Sequence, residues 1–202
     1  MRWRYFLILV VGLGLAAQPA LGVEPARALP SDLRGEPLVL LAKKSEYRMH
    51  LFASGKLVKT YVIGLGQQPI GHKQKQDDNR TPEGRYFIIQ KALGPFPGMF
   101  RAYLGTRWLR INYPNDDDAR AGLAKGLIDK LQFAKILAAN KEGREPPKDT
   151  ALGGGIGIHG WNGNWPGPDK QNLTWGCLSL PNNDLEDLYD RVSVGTPIVI
   201  LP

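Results

Sequence analysis

The sequence predicts one mostly β domain with helical insertions, an α+β fold of the sandwich or barrel type. Short runs rich in β-branched and aromatic residues recur along the chain between turn-forming residues, which is typical of strands. Two other segments show apolar residues at helical spacing after Asn and Asp capping residues. The chain has 202 residues and no internal repeat, so it is long enough for one sizeable core and short for two.

The first 28 residues have the three parts of a secretory signal peptide. Two arginines precede the apolar run "YFLILVVGLGLAA", and the small-residue patterns "ALG" and "ARA" follow it. The apolar run is shorter than the ~20 residues of a membrane-spanning helix, which favours cleavage after Gly22 or Ala28 over a retained anchor. We therefore expect an exported protein of the periplasm or cell envelope.

The elements follow in order along the remaining chain. "ASG" at 53–55 separates the second predicted strand from the third and indicates a hairpin turn. A helix is predicted over 115–143, broken near Gly122 or Gly126, and another over 181–192. The predicted strands are residues 37–44, 47–54, 56–64, 84–92, 107–115, 153–160 and 196–201.

The net charge of the chain suits several classes of binding partner. The formal net charge is +7, and loss of the two signal-peptide arginines would leave +5, since no acid precedes Glu24. The basic stretch 71–76 suits an anionic polymer, a membrane surface or plain solvation, but no aromatic residues alternate with the basic ones as in a nucleic-acid site. We predict no nucleic-acid partner.

We expect neither of the two histidines outside the candidate site, His50 and His72, to be a metal ligand. We expect His50, within a strand, to be a structural histidine, and His72 to be solvated, with a substrate contact as the alternative. The chain shows no zinc-ligand spacing, so neither a metal nor a cofactor is predicted.

The chain contains a single cysteine, Cys177. Cys177 follows Gly176 in "TWGCLSL", and His159 ends a predicted strand in "GIGIHG". A lone thiol in an exported protein is free, intermolecular or reactive, although a buried structural cysteine is the commoner case. A thiol with a pKa near ~8.5 needs a base such as imidazole to become a nucleophile, and N–H groups of a glycine turn can bind an oxyanion.

These two stretches together resemble the signature of the L,D-transpeptidase catalytic domain family. "TPEGRYFI", "RINYPN" and "NNDLEDLYDRVSVGTPIVI" look like further parts of that domain, so the resemblance covers about residues 37–202. It implies an L,D-transpeptidase-like β-sandwich or barrel. It also implies that Cys177 is the nucleophile, His159 the base, and Gly160 the carbonyl that orients the second ring nitrogen. The N–H groups of Gly176 and Cys177 would line the oxyanion hole.

Two positions depart from the more familiar family pattern. Trp175 stands where His or Asn is usual, and Ser179 stands where Arg is usual. The missing guanidinium bears on substrate recognition, because it removes a rigid fork suited to binding a carboxylate or to pinning the loop. Thr174, Trp175 and Trp161, together with Trp165, are candidate substrate contacts, and packing against the domain is the alternative for the tryptophans.

The resemblance implies an enzyme that acts on peptidoglycan stem peptides. Cys177 would attack the carbonyl of the third, dibasic residue and expel D-alanine, leaving a thioester. An amine from another stem, a D-amino acid or an envelope-protein lysine would complete a transpeptidation in cell-wall remodelling. Water would make the same site an L,D-carboxypeptidase or an amidase that detaches a peptidoglycan-linked protein.

Two other classes stay open. An inactive peptidoglycan-binding module would keep the fold without needing the cysteine and histidine. An unrelated thiol protease would need a third, orienting side chain, for which Asn162 and Asn172 are candidates. The acyl acceptor and the oligomeric state are not specified by the sequence.

Overall fold

A computed structural model describes residues 29–98, 100–161, 163, 165–167 and 171–202. The predicted signal peptide, residues 1–28, lies outside this part of the chain. Within the described residues, no helix has the length and apolarity needed to cross a bilayer.

Strands dominate the described part of the chain. The strands are β1 (Leu38–Lys43), β2 (Arg48–Ala53), β3 (Lys56–Val62), β4 (Gly64–Gly66), β5 (Gly84–Leu93), β6 (Arg107–Ile111), β7 (Gly157–Trp161), β8 (Gln171–Thr174), β9 (Leu178–Pro181) and β10 (Pro197–Leu201). The helices are α1 (Phe100–Tyr103), α2 (Asp116–Ala124), α3 (Lys130–Lys141) and α4 (Asn182–Arg191), and 3-10 turns span Ser31–Leu33 and Lys44–Glu46.

The strands form one mixed sheet in the order β3-β2-β1-β10-β5-β6-β7-β9-β4-β8. The opening meander β1–β2–β3 is antiparallel, whereas β1 pairs with β10 and β7 pairs with β9 in parallel. The sheet curls into a half-barrel, which confirms the predicted mostly β, barrel-like fold with helical insertions.

The hydrophobic core separates the two faces of the sheet. In β1, Leu40 packs into the main cluster with α4, whereas Leu41 packs into a smaller cluster on the other face. Neighbouring strand residues point to opposite faces, so this alternation is expected for a strand covered on both sides. The main cluster includes Cys177, which places the cysteine at the border of the core.

The helical insertion follows the predicted segment and breaks at one of the two predicted glycines. Asn115 and Asp129 each form a capping box, at the start of α2 and of α3 respectively. Gly126 lies between the helices with φ of +67°, a left-handed conformation that favours glycine. Gly122 instead lies inside α2, where a Cβ would come within 2.9 Å of Leu152.

Candidate active site

The strand register brings His159 close to the cysteine turn. His159 on β7 lies beside Ser179 on β9, and Cys177 immediately precedes β9. On its other side His159 faces Trp108 of β6. His159 therefore lies on an interior strand, and Cys177 lies in the turn that leads into the neighbouring one, so strand pairing fixes their relative positions.

His159 is held by its neighbour in the chain. Its side chain is 0% exposed, and Nδ1 lies 2.6 Å from the carbonyl oxygen of Gly160. A carbonyl only accepts, so Nδ1 carries the hydrogen and Nε2 keeps a free lone pair. Nε2 is buried and has no hydrogen-bond partner among the described residues. Burial lowers the pKa of His159 to about 4, so the ring is neutral at neutral pH.

Cys177 is also uncharged. Its side chain is 6% exposed, and its thiol is directed at the carbonyl oxygen of Gly155, 3.9 Å away. Burial raises the pKa of Cys177 to about 11, although the Gly157 backbone and the charges of Lys73 and Arg110 act in the opposite direction. Thiol and imidazole therefore rest as a neutral pair, so proton transfer would have to accompany nucleophilic attack.

The turn that presents Cys177 requires a glycine. Gly176 has φ of +134°, and a Cβ there would lie 2.7 Å from the carbonyl oxygen of Arg80. The Thr174 hydroxyl accepts from the Gly176 N–H at 3.1 Å and donates to the Cys177 carbonyl at 2.6 Å. Of the two N–H groups predicted for the oxyanion hole, that of Gly176 is thus already engaged in the turn.

This arrangement changes the role predicted for Thr174. The side chain is buried and its hydroxyl is occupied inside the turn, so a direct contact with substrate does not fit its position. Thr174 instead holds the shape of the loop that carries the nucleophile candidate.

A cavity of about 650 Å³ opens over Cys177. Trp175 lines this cavity and is 54% exposed, as a substrate-contacting residue should be. Trp161 and Trp165 are not among its lining residues, and Trp165 lies over Gly64, 3.3 Å from where a Cβ would stand. The lining residues are Lys73, Gln76, Asp77, Gln90, Ala92, Phe96, Phe100, Tyr103, Leu104, Trp108, Arg110, Lys148, Gly153, Gly154, Gly155, Ile156, Trp175 and Cys177.

Sequence reasoning missed Tyr103, which lies at the centre of the site. Its ring centroid is 4.8 Å from that of His159 and 4.8 Å from that of Trp175. Its hydroxyl accepts from the Trp175 N–H at 3.1 Å. The segment "LGPFPGMF" before it predicts only a loop, and no spacing along the chain connects Tyr103 to a histidine 56 positions later.

Ser179 lies in the interior of the domain. Its side chain is buried, and its hydroxyl has no partner among the described residues. A Cβ on Gly64 would come within 2.5 Å of that hydroxyl. Position 179 is therefore a tightly packed interior position in this chain.

The remaining histidines are structural. His50 Nδ1 lies 2.8 Å from the hydroxyl of Thr60, which places it as predicted. The prediction of a solvated His72 is wrong, because its Nε2 lies 3.0 Å from Asp118 Oδ1 and its Nδ1 accepts from the Glu83 N–H at 2.9 Å. Among the described residues no group of three His, Cys, Asp or Glu side chains could hold a metal ion.

The orienting group of a thiol protease is not supplied by Asn172. Its side-chain oxygen accepts from the Tyr47 hydroxyl at 2.8 Å, whereas His159 is oriented by the Gly160 carbonyl. Asn162 lies outside the described residues.

The half-barrel and the glycine-turn cysteine beside a buried histidine define a class of domain. The L,D-transpeptidase catalytic domain model (YkuD) matches residues 37–200, and the chain belongs to this family. No curated protein sequence gives a significant match.

Two of the solved structures that match this chain illustrate the shared fold. Bdellovibrio bacteriovorus Bd1075 is 23% identical, with a TM-score of 0.51 over 82% of this chain and 48% of that one. The helical cell shape determining protein Pgp2 from Campylobacter jejuni is 22% identical, with a TM-score of 0.51 over 81% of this chain and 46% of that one. This chain thus spans about half the length of the structures it matches.

Proposed function

We propose that this protein is an exported cysteine acyltransferase that acts on peptidoglycan stem peptides during cell-wall remodelling. One observation carries the proposal: a neutral thiol borders a substrate-sized cavity, next to a histidine whose Nδ1–H is fixed by Gly160 and whose Nε2 lone pair is free. Membership of the L,D-transpeptidase family supports the substrate class.

In the first half-reaction, the Cys177 sulfur attacks the carbonyl carbon of the third stem residue while its proton passes to His159 Nε2. The oxygen gains negative charge and is stabilised by the Cys177 N–H. The carbon–nitrogen bond then breaks, and His159 returns the proton to the departing D-alanine amine. A thioester remains on Cys177.

In the second half-reaction, an amine attacks the thioester carbonyl and gives its proton to His159. The carbon–sulfur bond breaks, the sulfur recovers a proton, and a new amide is released. The acceptor is an amine of another stem, a D-amino acid or a protein lysine. If water takes the place of the amine, the product is a shortened stem or a detached protein.

The cavity lining offers cationic and aromatic side chains to a peptide. Lys73, Arg110 and Lys148 line it, but Lys73 pairs with Asp78, and Arg110 and Lys148 share Glu145. Stem peptides carry free carboxylates, and Lys148, the most exposed of the three cations, is the best placed to attract them. Trp175 adds an exposed aromatic face for apolar parts of the substrate.

Product analysis tests the proposal and separates its variants. The mature protein is incubated with a stem tetrapeptide, with and without a D-amino acid, and the products are identified by mass spectrometry. D-alanine exchange that needs the added amine supports the transferase, and release without it identifies the hydrolase. Absence of any product, together with retained binding to peptidoglycan, would identify an inactive binding module.

Export is tested on the whole protein. We expect the envelope fraction to contain a chain that begins after Gly22 or Ala28, because the three parts of a signal peptide precede these positions. Recovery of intact Met1 from that fraction would identify a retained anchor instead.

A further inference from the structure

The environment of the His159 ring is aromatic on two sides. The Tyr103 ring is tilted by 40° at a centroid distance of 4.8 Å, and the Trp108 ring is stacked at 30° and 6.1 Å. Trp108 comes from the neighbouring strand, so its position is fixed by the sheet. Tyr103 comes from α1 in the loop between β5 and β6, so its contact is an addition to the half-barrel.

The hydroxyl of Tyr103 reaches the other half of the site. It accepts from the Trp175 N–H at 3.1 Å, and Trp175 lies between Thr174 and Gly176 in the turn. Thr174 in turn binds the Gly176 N–H and the Cys177 carbonyl. One side chain therefore contacts both the ring of the proposed base and the turn of the proposed nucleophile.

We propose that Tyr103 is a positioning residue that aligns His159 with Cys177. The inference rests on the proposed pairing of these two residues in catalysis. Among the described residues, the group that orients His159 is the carbonyl of Gly160 and not a carboxylate. Packing between Tyr103 and Trp108 limits rotation of the imidazole about its hydrogen bond, and the aromatic faces favour the imidazolium that forms when Nε2 takes the thiol proton.

The charged and titratable groups that face the pair come from three elements. They are Tyr103 from α1, Lys73 from the segment before β5, and Arg110 from β6. Asn182 of α4, whose Oδ1 would lie 2.0 Å from a Cβ on Gly160, is uncharged. Substitution of Tyr103 therefore leaves the nearby cations in place.

Alkylation of Cys177 by iodoacetamide between pH 6 and 10 tests the inference without any peptide substrate. His159→Gln defines the rate without the base. We expect the alkylation rate of Tyr103→Leu at pH 7 to be about 10-fold below that of the wild type and close to that of His159→Gln. The reason is that the imidazole is no longer held in position beside the thiol. At pH 10 the difference should shrink, because hydroxide then supplies the thiolate. With a stem peptide as substrate, kcat of Tyr103→Leu should fall, while its KM stays within about 3-fold of the wild-type KM.

Two further variants make the test decisive. Tyr103→Phe keeps the ring and loses the hydroxyl, so its rate should lie between those of the wild type and Tyr103→Leu. Tyr189→Leu is the matched control, since Tyr189 is a partly buried tyrosine on α4 whose ring lies 4.1 Å from Lys91 Nζ. Its alkylation profile should match the wild type.

A Tyr103→Leu profile that coincides with the wild type at every pH, with a change in KM alone, would overturn the inference and leave Tyr103 with a cavity-lining role only. If Tyr103→Leu does not fold, Tyr103→Met provides the same comparison with a side chain of similar length. Failure of the wild type to form a thioester with stem peptide would overturn the proposed function but not these alkylation results.

Discussion

His159 Nδ1 lies 2.6 Å from the carbonyl oxygen of Gly160, the next residue in the chain. This short bond assigns the hydrogen to Nδ1 and leaves Nε2 as the acceptor. A backbone carbonyl thus does the orienting work that a carboxylate does in a Ser-His-Asp triad. Because the carbonyl is neutral, it stabilises the imidazolium less than a carboxylate would. Both the His159 imidazole and the Cys177 thiol are therefore uncharged in the resting site.

The Thr174 hydroxyl should matter for catalysis without touching substrate. Thr174→Val keeps the shape of the side chain but removes the acceptor for the Gly176 N–H and the donor to the Cys177 carbonyl. We expect kcat/KM to fall by about 10- to 100-fold and stability to fall by about 1–3 kcal/mol. Steady-state kinetics and urea unfolding measure both, and Thr174→Ser, which keeps the hydroxyl, should lie close to the wild type. Equal kinetics for Thr174→Val and the wild type would contradict this role.

Introduction of the family's arginine at position 179 should damage the fold. Ser179 is buried against Gly64, so an arginine there would bury an unpaired charge in a site without space for it. We expect Ser179→Arg to lose about 3–5 kcal/mol of unfolding free energy. Ser179→Ala, which removes a hydroxyl that has no partner among the described residues, should stay within about 1 kcal/mol. A stable Ser179→Arg protein with altered substrate preference would instead support a recognition role for this position.

Acid should destabilise the protein through His159. Its pKa is about 4 in the folded protein, below the ordinary value near ~6.5 expected in the unfolded chain. Between these pH values the unfolded chain binds the proton and the folded one does not, so stability falls as pH decreases from 6.5 to 4. The loss attributable to His159 is on the order of 3 kcal/mol. Urea unfolding at several pH values should therefore show a shallower acid slope in His159→Gln, and an identical slope would argue against a neutral buried ring.

The sequence predicts most strands and the cysteine turn, but it does not predict the short strands that pair beside them. Most strands are predicted because β-branched residues recur between turns, and Gly126 is among the predicted helix breaks because it lacks a Cβ. The three-residue β4 and the four-residue β8 and β9 are too short to show a periodic pattern. They are defined by pairing with distant strands, which only the fold reveals.

The same reason explains the missed and misassigned site residues. Tyr103 contacts His159 through a loop whose path depends on tertiary packing, and Thr174 turns inward because its hydroxyl bridges two backbone groups. Ser179 has a strand neighbour in Gly64 that its own sequence context does not indicate. A site residue can be predicted when neighbouring residues in the sequence form its motif. It cannot be predicted when its role depends on a contact between distant loops.

Intact-protein mass spectrometry of the acyl-enzyme is the most direct test of the central claim. The mature protein is mixed with excess stem tetrapeptide and quenched in acid at short times, and the modified residue is mapped by proteolysis. We predict a thioester adduct, lacking D-alanine, on Cys177 of the wild type, none in Cys177→Ala, and formation slowed by about 100-fold or more in His159→Gln. An adduct on another residue, or equal rates in the wild type and His159→Gln, would contradict the assignment of Cys177 and His159 as nucleophile and base.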